Sequence, residues 1–309
     1  MISKRIIYIL ILLLSATMCG KPENKKQPEI TQISKIELVQ QKYNIYKNLS
    51  LARQDANGFV EVDKCDSLLF SALLGVALPV NIEAARDSTG QWFRRPLNYE
   101  ACYPNGAKST ISRDMLIGVL WYIWKNKDLN MAESLFSYGV EHFWIMGEGA
   151  ASRIYFTPAL QSVLAEIIYK LGGYNHYVYR ALPQAYFKNT DFEAHLDILL
   201  ILLKGELLNA VSDTEKDIIE HQRTRMPGNP LFQYAYHKYF DGDQGDTINL
   251  LLNTRYFPAD RLPTTHDRCE SWILQRDMGD DWVPCRTDEV PIIHSGGDFL
   301  FISHLILGK

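Results

Sequence analysis

Ser112-Arg113-Asp114 opens the stretch that decides the fold, and it runs on as Met115-Leu116-Ile117-Gly118-Val119-Leu120-Trp121-Tyr122-Ile123-Trp124. Ser112 suits an N-cap, because its hydroxyl can accept a hydrogen bond from an orphan backbone N–H. Asp114 falls in the first turn, where the helix dipole favours negative charge. From Met115 onward the run is apolar on every side. Such a helix must be buried all round, and it is too short, and too abruptly closed by Lys125-Asn126-Lys127, to span a bilayer. It predicts an inner helix of a layered, all-α domain.

The same alternation continues outward from this stretch. Ser67–Leu78, opened by Asp63 or Asp66, is apolar on nearly all faces, as is His195–Leu203; Leu231–Phe240 is aromatic-rich and reads as mostly buried, and Asp298–Leu307 reads as the last helix. Half-polar segments lie between them. Lys35–Asn57 is amphipathic until Gly58 breaks it. In Asp128–Phe143, Asn130, Glu133, Ser134, Ser137 and Glu141 make a polar stripe, while Ala132, Phe136, Val140 and Phe143 make an apolar one. Helix starts are marked by Thr157-Pro158, by the capping-box pattern Ser212-Asp213-Thr214-Glu215, and by Asn229-Pro230. Asp191 and Asp246 are read as the openers of two further helices. Gly172-Gly173 closes the segment that ends at Leu171.

Helices apolar all round, alternating with half-polar ones, are what two concentric layers require. The pattern resembles the six-hairpin glycosidase-like superfamily, whose paired helices wind into an α/α toroid of inner and outer rings. The likeness is carried by Cys65-Asp66-Ser67-Leu68-Leu69-Phe70, Ser112-Arg113-Asp114 with Gly118, Asn229-Pro230-Leu231-Phe232 and Asp298-Phe299-Leu300. It implies a single α/α-toroid domain over 35–309, with its long loops on one face. A carbohydrate-active function is implied by analogy of fold.

The N-terminus carries a targeting segment. Lys4 and Arg5 precede the apolar run Ile6–Leu14, which is too short for a membrane span, so 1–18 reads as a signal peptide. Ser15-Ala16-Thr17-Met18-Cys19-Gly20 resembles the lipobox of bacterial lipoproteins, and that resemblance implies lipidation of Cys19 and a membrane partner through an N-terminal lipid. Residues 19–34 are polar, contain proline and lack aromatics, as a flexible tether does. An exported envelope protein is the expectation. Removing Cys19 from the five cysteines leaves Cys65, Cys102, Cys269 and Cys285, an even set with three possible connectivities. Cys65–Cys102 and Cys269–Cys285 are favoured because each closes a long loop locally; four buried thiols are the alternative.

With a net charge of −4 and no basic block after the leader, the chain offers no footprint for nucleic acid. Neither G-x-S-x-G nor H-E-x-x-H occurs, and no histidine pair has zinc spacing. Asp241-Gly242-Asp243-Gln244-Gly245-Asp246 approaches a calcium loop, but its glycine comes one place early and position twelve is Leu252, so it reads as an interhelix turn. Gly147-Glu148-Gly149 comes after no convincing strand and is not a nucleotide loop. No metal or cofactor is expected.

Three loops, 79–111, 144–156 and 253–297, each lead into the start of an inner helix, which gathers them at one mouth if the inner helices run parallel. Aromatic and polar side chains in a concave mouth suit sugar rings, which stack on aromatic faces and bond to charged groups through their hydroxyls. Asp66, Asp114, Glu148 and Asp277 are the candidate catalytic carboxylates, because glycoside hydrolysis needs two such groups flanking the bond. Trp92, Tyr99, Arg113, Arg276, Trp282 and Asp298 are candidates for holding the substrate. For Asp66, Asp114 and Asp298 the bland reading is a capping and dipole role, and Arg113 can equally be a salt-bridge partner of its neighbour. Two functions fit these residues: a glycoside hydrolase, ahead of a polysaccharide lyase, acting on a polysaccharide, or a non-catalytic envelope lipoprotein that binds a glycan or a protein on the same face.

Overall fold

The chain divides into two compact units, Met1–Ser34 and Lys35–Lys309. The computed structural model describes residues 33–61, 67–96, 109–149, 152–183, 193–268 and 290–309, nearly all of them in the second unit. In chain order they form α1 (Lys35–Leu51), α2 (Ser67–Leu73), a 3₁₀ turn (Ile82–Ala85), α3 (Arg113–Asn126) and α4 (Leu129–Glu141). The hairpin of β1 (Ile145–Glu148) and β2 (Arg153–Tyr155) comes next, then α5 (Pro158–Lys170), α6 (Tyr177–Arg180) and α7 (Ala194–Leu208). The last four helices are α8 (Asp213–Arg225), α9 (Pro230–Tyr239), α10 (Gly245–Leu252) and α11 (Gly297–Ile306). Apart from the antiparallel β1–β2 pair, the described residues are helices, turns and loops, so the fold is all-α.

Burial sorts the helices into two kinds. All seven residues of α2 are buried, as are twelve of the fifteen in α7 and eight of the ten in α11. In contrast, α8 buries only Glu215, Ile218, Ile219 and Gln222, and α10 only Thr247 and Leu251. The apolar-all-round pattern is thus a burial pattern, as expected when no side of a helix meets water. Among the buried helices, α2 packs on α3, α3 on α5, α5 on α7, α7 on α9, α9 on α11, and α11 back on α2. The half-polar helices pack on members of this set: α4 on α3 and α5, α8 on α7 and α9, α10 on α9, and α1 on α10 and α11. Helix α3 also touches α7 directly, where the Trp121 indole N–H donates to the Leu199 carbonyl at 3.1 Å and Phe301 meets the Trp121 ring edge-on at 5.4 Å.

Ion pairs at both ends give the direction of the buried helices. Arg113 pairs with Glu193 where α3 and α7 begin, and Lys125 pairs with Glu206 at 2.6 Å where they end. Lys238, at the end of α9, lies 4.0 Å from the same Glu206. Helix α2 runs alongside α3 in the same sense, since Gly118 faces Leu69 and Ala72 while Gly75 faces Tyr122. A Cβ at Gly118 would sit 3.0 Å from the Leu69 carbonyl oxygen, which is why these two helices need a glycine to approach so closely. The starts of α2, α3 and α7 and the turn into α9 therefore lie toward one end of the unit.

Lys42 ties α1 to the rest. It is 6 % exposed, and its ammonium donates to the Leu251 carbonyl at 2.8 Å and the Phe257 carbonyl at 2.5 Å. The rings of Tyr46, Phe257 and Phe299 surround it with centroids between 5.3 and 5.9 Å away. Burial pulls its pKa down to about 8.

Several sequence expectations change. Ser112 does occupy the N-cap position of α3, with extended φ and ψ of −142° and 168°, but its side chain caps no backbone N–H. Its hydroxyl donates to Asp114 instead. Helix α2 ends at Leu73 and continues only as turns to Ala77, so the expected helix to Leu78 is too long. The expected irregular loop 144–156 contains the β hairpin. Val140 and Phe143, expected in the buried stripe of α4, are 45 % and 83 % exposed. For Phe143 the reason is the turn after α4, where Phe143 and Trp144 both adopt left-handed φ, of 53° and 61°. That reversal swings Trp144 inward against Phe136 and Phe156 and leaves Phe143 outside. The Thr157, Ser212 and Asn229 caps are present, with Glu215 completing the capping box.

Candidate functional site

The helix-start end is organised by a relay of backbone hydrogen bonds. Leu68 N–H donates to the Arg94 carbonyl at 2.9 Å, Arg94 N–H to the Thr110 carbonyl at 2.9 Å, and Thr110 N–H to the Glu148 carbonyl at 2.8 Å. Glu148 in turn pairs with Arg153 across the hairpin. The relay satisfies an orphan N–H at the start of α2 and sets Glu148 beside the segment that enters α3. Thr110 strengthens the join, because its hydroxyl accepts the Glu148 N–H at 2.9 Å. Gly147 is required here: its φ is +152°, and a Cβ would meet the Thr110 hydroxyl oxygen at 2.5 Å. Arg94 is buried beneath, with its Nε donating to the Ser109 hydroxyl at 3.0 Å.

At the start of α3, Arg113 and Asp114 point to different partners. The Arg113 guanidinium pairs with Glu193, the residue before α7, in a partly exposed ion pair. Asp114 accepts the Ser112 hydroxyl and is half-buried. The reading of Arg113 as a simple partner of its neighbour is thus replaced by a link between two helix starts. Glu148 is exposed.

A second cluster lies at the start of α11. Arg268 and Asp298 form a two-pronged ion pair with both side chains at 2 % exposure or less, and Asp298 also accepts the Phe299 N–H at 2.8 Å. His294 lies against the Arg268 carbonyl at 3.3 Å, and Glu61 accepts the Ser295 N–H at 3.0 Å. Gly296 and Gly297 permit this packing. Gly296 has a φ of +68°, and a Cβ on Gly297 would touch the Phe70 ring at 2.5 Å. Tyr46, whose hydroxyl pKa is raised chiefly by burial, packs its ring at a tilt against Phe299, with centroids 4.3 Å apart, and closes the cluster from the α1 side.

Of the ten residues expected at the site, the structure describes five. Asp114, Arg113 and Glu148 lie at the helix-start end. Asp298 lies there too but faces inward: its carboxylate is consumed by Arg268 and its own helix, so its placement is that of a buried structural pair. Trp92 is 1 % exposed, with the Arg86 guanidinium 5.7 Å from its ring, and offers no face to a ligand. Asp66, Tyr99, Arg276, Asp277 and Trp282 lie outside the described residues, as do Cys19, Cys65, Cys102, Cys269 and Cys285. Glu193, Arg94, Glu61, Arg268 and His294 were not anticipated. The double glycine before Asp298 was the one visible signal of close packing there; nothing local marks Glu61, which accepts the Ser295 N–H from 234 residues along the chain.

Among the described residues no group of three or more His, Cys, Asp or Glu is placed to hold a metal ion, and no helix is long and apolar enough to cross a membrane. What this end offers chemically is two water-accessible carboxylates, Asp114 and Glu148, beside the Arg113–Glu193 pair. Comparison with protein-family models, with curated proteins and with solved structures found no significant match to the chain.

Proposed function

We propose that residues 35–309 form an α/α toroid whose helix-start end binds a glycan, in an exported, lipid-anchored carbohydrate-active protein that is a glycoside hydrolase. The observation that carries this reading is the circuit of six buried helices, with the starts of α2, α3 and α7 brought to one end together with the hairpin that bears Glu148. Helix N-termini expose N–H donors and a positive dipole end, which suit oxygen-rich ligands. In the hydrolase, Asp114, accepting the Ser112 hydroxyl, acts as the carboxylate at the reacting carbon, and Glu148, which faces water, delivers the proton to the leaving oxygen. Arg113 and Glu193 bond to sugar hydroxyls. Asp66 and Asp277 remain further candidates for either carboxyl role.

A non-catalytic glycan-binding lipoprotein is favoured by a different observation: Asp298 is fully committed to Arg268, and Asp114 already holds a hydroxyl bond. Incubating the purified protein with a panel of polysaccharides, and reading new reducing ends and unsaturated products, separates the two. Reducing ends support hydrolysis, and unsaturated products alone support a lyase. Binding without either product supports the lipoprotein reading. No product and no retention on any glycan removes the carbohydrate assignment. Lipid anchoring is tested separately by Cys19→Ser, which is expected to move the protein from the membrane to the soluble fraction.

A further inference from the structure

Away from the helix-start end, the end of α8, the body of α9 and the face of α10 form the walls of an open cleft of about 550 Å³, within the range of small-molecule sites. One wall carries Arg223, and its guanidinium is held from two sides. Its Cζ lies over the Tyr236 ring, 4.4 Å from the centroid, and its Nε donates to the Gln233 side-chain oxygen at 3.4 Å. Gln233 is itself 4 % exposed and anchored through its amide N–H to the Pro227 carbonyl at 2.8 Å. With Nε directed at Gln233, the two Nη groups form the fork that remains for a ligand. An arginine fixed by an aromatic ring and by a buried amide is pre-organised for a carboxylate in two-pronged geometry.

The remaining lining chooses among anions. Asn249 and Asn253 each have the amide oxygen engaged, by Lys35 at 2.7 Å and by the Arg255 N–H at 3.0 Å. Among the described residues no bond engages either amide nitrogen, so both can donate into the cleft. Asp246 lines the same space and is the opposing charge. It lies 3.7 Å from Nε2 of the buried His237, whose Nδ1 is bonded to Asp241 at 2.7 Å. A phosphate dianion would be repelled by Asp246 and by the acidic turn that carries Asp241 and Asp243. A neutral sugar would bring the Arg223 fork no anionic group beyond the exposed Asp241 carboxylate that already acts on it. A ligand with one carboxylate and one ammonium satisfies both walls.

We infer that this cleft binds a small zwitterion, a free α-amino acid, with its carboxylate on Arg223 and the two asparagine amides and its ammonium toward Asp246. The test is isothermal titration of the purified full chain with the individual L-amino acids, continued for the best binder with its decarboxylated amine and its deaminated acid. The expected result is saturable binding of at least one amino acid, with each analogue weaker by about tenfold or more, the scale of one charge-assisted contact. Arg223→Gln should weaken the amino acid and leave the amine unchanged, while Asp246→Asn should weaken the amino acid and leave the deaminated acid unchanged. Absence of binding by every amino acid overturns the inference, and so do analogues that bind as tightly as the parent. If Arg223→Gln melts early, the analogue series on the unaltered protein decides the matter.

Discussion

Replacing Lys42 by methionine should remove a defined pH dependence of stability. Burial displaces the folded-state pKa of Lys42 from 10.5 to about 8. A lysine with a depressed folded pKa carries its full penalty while protonated in both states, and the penalty is relieved as pH rises from about 8 toward 10.5. In that window the unfolded chain binds the proton and the folded chain does not, so stability increases with pH. At about 1.36 kcal/mol for each tenfold step in acidity, the ceiling is about 3 kcal/mol; discounted for solvent screening it is about 2 kcal/mol. The two carbonyl acceptors and three aromatic faces around the ammonium work against the displacement, so the discounted figure is the better guide. Urea unfolding at intervals from pH 7 to 10 should show wild type gaining about 2 kcal/mol relative to Lys42→Met. Taking the difference matters, because Lys127 and Lys238 are also shifted downward, mainly by burial, and contribute a rise common to both proteins. Parallel profiles for the two proteins would refute the reasoning, whatever their offset at pH 7.

Three other outcomes are expected. The Tyr239 hydroxyl is buried without a partner among the described residues and would collide with a Cβ at Gly205; Tyr239→Phe should therefore stabilise by about 1 kcal/mol, and Gly205→Ala should destabilise wild type more than it does the Tyr239→Phe variant, both read by urea unfolding. Asp298→Ala removes the buried carboxylate that pairs with Arg268 and should cost about 3–5 kcal/mol, a loss visible in thermal melts without any ligand. On the proposed hydrolase reading, Asp114→Asn should leave the melting temperature nearly unchanged and reduce turnover of the glycan substrate by about a hundredfold or more. Ser112→Ala, which removes a bond to Asp114 and no helix cap, should likewise affect turnover more than stability; full activity in both variants would make this corner architectural.

The residues that were legible in the sequence are those whose role is local. The apolar circumference of α3 and α7 reflects burial on all sides. The starts at Thr157-Pro158, Ser212 and Asn229-Pro230 reflect capping chemistry contained within four residues. The hairpin was hidden because its strands are only four and three residues long and are held in place by Thr110, some 38 residues before Glu148. Asp298 looked like any first-turn acid because the guanidinium that claims it comes 30 residues earlier. Phe143 was misplaced for a conformational reason: two successive left-handed residues break the helical phase that put it in the apolar stripe. At the candidate site the local identities of Asp114 and Arg113 were readable. The partner of Asp114, Ser112, is only two residues away, whereas Glu193, the partner of Arg113, emerged only once the two helix starts stood side by side.

The relay from Leu68 through Arg94 and Thr110 to Glu148 has a mechanical consequence. Both Arg94 and Thr110 use their N–H and their carbonyl within it, so each residue's backbone is held from both sides and no link can be lost without loosening its neighbours. The four amides should exchange with solvent as one cooperative opening, not as four independent loops. A pull on the hairpin, whatever occupies the surface beside Glu148, would then be felt as strain at the first turn of α2. The side chains over this end stand on a taut backbone lattice, and the accuracy of anything bound there depends on how stiff that lattice is.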